Sequence, residues 1–155
     1  MSYYTAYICK NGHCISSYGH HTSEEKFCSR CGSEIISQCP ECGAVIRGSY
    51  KSPYGFPAEY NVPAYCLHCG QPFPWTKTAL DIAEALIRED EHLDTLVQQQ
   101  LIDSLPDIVS ETPKTKLSAI RLKIAFVSAG RFTAEGIRQF VIDFGCELAK
   151  QQLGL

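Results

Sequence analysis

Residues 28–43 read C-S-R-C-G-S-E-I-I-S-Q-C-P-E-C-G, and residues 66–70 read C-L-H-C-G. The pairs Cys28/Cys31, Cys39/Cys42 and Cys66/Cys69 are each followed at once by glycine. Two thiolates one tight turn apart can both point into that turn, and a glycine after the second Cys accepts the positive φ that aims backbone N–H groups at the sulfurs. We read each pair as a zinc knuckle, in preference to a redox or disulfide pair. A tetrahedral ion needs four ligands. Cys39, Cys42, Cys66 and Cys69 make one set, and Cys28 with Cys31 leaves two positions to fill. Upstream, Cys9 and His13 bracket Asn11-Gly12, so Cys9 supplies the third ligand and His13 or Cys14 the fourth. His13 is the expected one, because the residue after Gly12 can turn back toward the Cys9 sulfur. Cys14 begins the returning strand, between Ala6/Ile8 and Ile15, and faces away if the pleat alternates.

Composition divides the chain. Eight of nine Cys and all eight Tyr precede residue 70, and the remainder of the chain is rich in Leu, Ile, Ala, Glu and Gln. With 155 residues and 45% apolar content, this is the size of one or two small globular domains. We expect a metal-stabilised domain over 1–77 and an α-helical domain over 78–155. The start, M-S-Y-Y-T-A-Y-I-C, has no basic and apolar leader pattern, and the longest apolar piece, Ile124 to Val127, is too short to span a bilayer. A cytoplasmic protein with reduced, metal-bound thiols and no membrane role is the expectation.

C-K-N-G-H followed by F-C-S-R-C-G resembles a bacterial zinc ribbon, and Cys39 to Trp75 resembles a second ribbon directly after it. Over its whole length the chain resembles an uncharacterised bacterial family of tandem zinc-ribbon proteins with a C-terminal helical region. The motifs are I-C-K-N-G-H, C-P-E-C-G-A-V-I-R-G, P-A-Y-C-L-H-C-G-Q-P-F-P-W and S-L-P-D-I-V-S-E-T-P. The resemblance supports ribbon one at about 1–36, ribbon two at about 37–75 and an α+β fold class, and it names no activity. Cys14 beside His13 departs from the pattern.

Beyond Q-P-F-P-W, whose two prolines stiffen the junction, Thr76 or Thr78 is expected to cap a helix carrying Leu80, Ala83, Leu86 and Ile87. A second apolar group, Leu93, Leu96, Val97 and Leu101, continues the same bent helix or forms another, ending at Ser104-Leu105-Pro106. Thr112-Pro113 opens a third helix with apolar positions Leu117, Ile120, Ile124 and Val127, closed by Gly130. The fourth starts near Thr133 and Glu135 and carries Ile137, Phe140, Val141, Phe144 and Leu148. Four amphipathic segments predict a small helical bundle or an antiparallel pair of hairpins, with so little core per residue that pairing with a second copy is expected.

Residues 78–111 hold nine acidic side chains against Arg88, and residues 112–155 hold seven basic against three acidic. Faces that attract one another on packing are the simpler reading; a basic face of Lys114, Lys116, Arg121 and Lys123 offered to an acidic partner is the functional one. In 47–65, Tyr54, Phe56 and Tyr60 form either a recognition loop or, as we prefer, rings packed around the metal sites. Arg47 and Lys51 beside them keep nucleic acid as an alternative partner. Both zinc sites count to four protein ligands and are closed, Cys14 and Cys146 have no evident base, and His20 and His21 sit in a polar loop. The sequence also lacks a glycine-rich phosphate loop and an H-E-x-x-H motif. The expected function is therefore non-enzymatic: two structural Zn2+ per chain, and protein–protein interaction or self-association.

Overall fold

Among the described residues, short runs of Tyr and Ile punctuated by glycine build five strands of two to four residues before the first helix. The computed structural model describes residues 2–55 and 59–155, so Phe56 lies outside the described residues. The chain divides into two compact units, Met1–Lys77 and Thr78–Leu155, and the fold class is α+β.

In the first unit β1 (Tyr3–Thr5) pairs antiparallel with β5 (Arg47–Tyr50). A second sheet has the order β3-β2-β4, from β2 (Tyr7–Cys9), β3 (Cys14–Ser16) and β4 (Ile35–Ile36). Ala6, Ile8, Cys9 and Ile46 are buried, and the Ala6 amide donates to the Ile46 carbonyl at 2.9 Å, joining the two sheets. A Cβ on Gly48 would run into the Ser17 and Tyr4 carbonyls, so glycine lets three backbone segments cross there. Strands this short cannot hold one another by ladder bonds alone. The turns between them must carry the order.

Helix α1 (Pro74–Arg88) starts earlier than expected. Proline at the first helical position lacks only an N–H that would go unpaired there, and its φ is already helical. Thr76 therefore lies inside the helix, fully buried, and is not a cap. Trp75 is 4% exposed, stacks on Phe73 at 4.8 Å and donates its indole N–H to the Pro63 carbonyl at 2.9 Å.

The second unit contains α2 (Thr95–Val109), α3 (Thr115–Ser128), α4 (Arg131–Phe144) and α5 (Glu147–Leu153). Asp94 caps α2 by accepting from the Val97 amide at 2.9 Å, so the first two apolar groups are separate helices. α2 does not end at Pro106 but runs through it to Val109. An interior proline costs about 3 kcal/mol, and burial of Leu105, Ile108 and Val109 at about 1.5–3 kcal/mol per side chain offsets it. Gly145 ends α4, which puts Leu148 in a fifth, short helix and leaves Cys146 as its N-terminal flanking residue. α3 packs against α2 and α5. Contrary to expectation it buries Thr115, Ser118, Ala119, Leu122 and Ala125, while Leu117, Ile120, Ile124 and Val127 face solvent. Thr115, whose hydroxyl bonds the Asp107 carbonyl at 2.8 Å, fixes this rotation, and the small side chains beside it allow close approach.

One polar side chain organises the far end of this unit. Asp90, 5% exposed, accepts from the Gly130 amide at 2.8 Å and the His92 amide at 2.8 Å, tying the segment after α1 to the start of α4.

Candidate metal centres

The three C-x-x-C-G turns share one backbone. In each, the first Cys amide bonds the carbonyl five residues on (Ser33, Ala44, Gln71) and the glycine amide bonds the first Cys carbonyl, all at 2.8–2.9 Å. Gly32, Gly43 and Gly70 take φ of 73°, 74° and 73°, a conformation that costs an L-residue about 1 kcal/mol or more. The Cys9 turn is one residue tighter: its amide bonds the His13 carbonyl at 3.0 Å, and Gly12, with φ 89°, precedes the second ligand where the other glycines follow it. A Cβ on Gly12 would sit 3.0 Å from that of Trp75, so the indole packs directly on this turn.

These turns bring the ligand atoms into two groups, Cys9/His13/Cys28/Cys31 and Cys39/Cys42/Cys66/Cys69, each within 4.8 Å. In the first, Cys9 Sγ lies 3.7 Å from Cys31 Sγ, and His13 Nδ1 lies 3.5 Å from Cys9 Sγ and 3.6 Å from Cys28 Sγ. In the second, Cys39 and Cys69 sulfurs are 3.8 Å apart and those of Cys42 and Cys66 are 3.7 Å apart. A tetrahedron with metal–sulfur bonds of about 2.3 Å has edges of about 3.8 Å, and a sulfur–imidazole edge is about 3.6 Å. A disulfide would need about 2.05 Å. Both groups therefore fit a tetrahedral ion and are able to hold one. Cys14 is exposed, on β3, and is not among the four first-site donors.

Backbone amides set the charge of the sulfurs. The Ser33 amide lowers Cys31 to about 5, and the Cys69 and His68 amides lower Cys66 to about 6. Cys42, despite the Ala44 amide, is pushed up to about 12 by desolvation and the neighbouring sulfurs. Desolvation likewise raises Cys9. Four crowded donors resist full ionisation, and a divalent cation among them relieves that resistance. The following glycine anticipates amides aimed at the sulfurs but not which ones: Ser33 and Ala44 lie two positions after the second Cys of their pairs, whereas the donors to Cys66 are His68 and Cys69 within its own pair.

The family model described as "uncharacterized protein conserved in bacteria (DUF2321)" matches residues 2–153. The chain belongs to this family. Neither the curated proteins nor the solved structures gave a match.

The other singled-out residues are not among the grouped donors. Arg47 sits 4.3 Å over the Tyr3 ring and Lys51 5.0 Å from that of Tyr4. Tyr54 is exposed, Tyr60 donates to the Arg47 carbonyl at 2.7 Å, and His21 stacks on Tyr7 at 4.5 Å. The Cys146 amide bonds the Ile108 carbonyl at 2.8 Å, so this cysteine joins the start of α5 to α2. Among the described residues no helix is long and apolar enough to cross a membrane.

Proposed function

We propose that the protein is a non-enzymatic zinc-binding adaptor of the cytoplasm, in which a double zinc-ribbon head and a helical unit serve to bind a protein partner. The observation that carries this reading is the pair of four-donor groups with tetrahedral edges, every corner supplied by the chain. A set closed by four protein ligands leaves no position for water or substrate. Zinc supplies fixed tetrahedral geometry without redox change, and the imidazole in the first group favours it over iron, which suits four thiolates. Cys9, His13, Cys28 and Cys31 would hold one ion, and Cys39, Cys42, Cys66 and Cys69 the other.

A protein is favoured over nucleic acid by charge. Residues 1–77 hold six basic and five acidic side chains; seven thiolates and two divalent ions bring the head to about −2 and the whole chain to about −6. The two cations of this loop are also engaged by the head's own rings: Arg47 covers Tyr3 and Lys51 approaches Tyr4, adjacent residues of one strand whose side chains leave opposite faces.

The test uses the intact chain. Native lysate should yield a specific protein partner, and labelled DNA and RNA oligonucleotides at physiological salt should show no appreciable anisotropy change. A Kd near or below about 1 μM that weakens steeply with salt would replace the adaptor with a nucleic-acid binder.

A further inference from the structure

We propose that the outward face of α3 is a docking seam for an acidic amphipathic helix of a partner protein; this rests on the adaptor reading and names its surface. Leu117, Ile120, Ile124 and Val127 are 49%, 48%, 68% and 89% exposed. Single exposed aliphatics are ordinary, but these four are spaced 3, 4 and 3 residues apart and fall within about 80° of the helix circumference. That is the narrow a/d stripe of a helix that pairs with another helix, displayed on the side of α3 opposite the one packed on α2 and α5.

The rims of the stripe decide the occupant. Lys116 and Lys123 flank it on one side and Arg121 on the other; all three are exposed and, among the described residues, none is paired with an acid. α3 itself contains no Asp or Glu. A second copy docked α3 to α3 would set these cations against their own kind. The acidic helices of a second copy do not match either, since the exposed large aliphatics are Ile82 alone on α1 and Leu96 alone on α2. An anionic membrane suits a wider face with aromatic anchors, and this stripe has none. A partner helix with aliphatic a/d positions flanked by Glu or Asp satisfies both stripe and rims.

The test measures anisotropy of the intact, zinc-loaded protein with two labelled four-heptad peptides, Leu at a and d, one with Glu and one with Lys at e and g. The Glu peptide should bind at least tenfold more tightly than the Lys peptide. Ile124→Glu should weaken it at least tenfold, and the double variant Arg121→Glu, Lys123→Glu should reverse the preference, with circular dichroism unchanged because all three side chains are exposed. Equal binding of both peptides, binding of neither, or insensitivity to Ile124→Glu overturns the seam. So does a native dimer dissociated by Ile124→Glu in sedimentation, or binding to phosphatidylserine vesicles that this variant abolishes without Glu-peptide binding. A lysate partner kept by the Ile124→Glu chain would overturn the seam and leave the adaptor standing; absence of any protein partner for the native chain would remove both.

Discussion

The two units solve the same problem with different means. Residues 1–77 have strands of two to four residues and few aliphatic side chains in the core, and four tight turns gather eight atoms able to ligate metal where a larger core would otherwise sit. Residues 78–155 bury Leu101, Leu105, Ile108, Leu122, Ile137 and Val141 among helices, as an ordinary domain does. In the first, order is set within about five residues at a time; in the second, it depends on which side of each helix meets its neighbours.

The largest difference should appear on metal removal. Chelator at neutral pH should collapse the dispersion of signals from residues 1–77 in an NMR spectrum and leave the helical signals of 78–155 in place, because binding free energy in such a head is folding free energy. Loss of both sets together would erase the distinction. Within the head, His13→Ala should reduce bound metal to about one ion per chain, while Cys14→Ser should leave two, read by mass spectrometry under native conditions. The reverse pattern would transfer the ligand to Cys14.

Within the helical unit the contrast lies on α3. Leu122→Ala should lower stability by about 2–5 kcal/mol, as removal of a fully buried side chain does, whereas Ile124→Ser, at 68% exposure, should change it by about 0.5 kcal/mol or less. Equal effects in urea titrations would mean that the helix is rotated.

A smaller effect is expected at Asp90. Desolvation opposes its charge, but the His92 amide, Thr133 and the Gly130 amide together hold its carboxyl below the ordinary value of 3.8. A depressed carboxylate contributes stability that is present above that ordinary value and lost as pH falls through the folded one. Asp90→Ala, which leaves buried amides unpaired, should cost about 1–3 kcal/mol at pH 7. The gap to the native chain should narrow below about pH 4, and a gap that widens there would refute the assignment.

These contrasts explain what the sequence disclosed. The knuckles were legible because ligand spacing and a following glycine specify a turn locally, and Gly12 ahead of His13 marked the tighter one. The rotation of α3 was not. Counting aliphatics selected Leu117, Ile120, Ile124 and Val127, but Thr115 anchors the helix to α2 through the Asp107 carbonyl and turns Ala119, Leu122 and Ala125 inward. Pro106 read as a stop because its missing N–H is a local penalty, while the burial that offsets it is tertiary. Asp90 gave no signal, since its donor at Gly130 lies 40 residues away.

The central claim is that two closed tetrahedral sites, each filled by zinc, build the head. Native mass spectrometry of the intact chain, desalted in metal-free buffer without chelator, with elemental analysis of the same sample, measures this directly. Two zinc ions per chain and no disulfide are expected, with a mass lowered by the protons the ligands release on binding. One ion or none, iron in place of zinc, or cysteines joined in disulfides would contradict it.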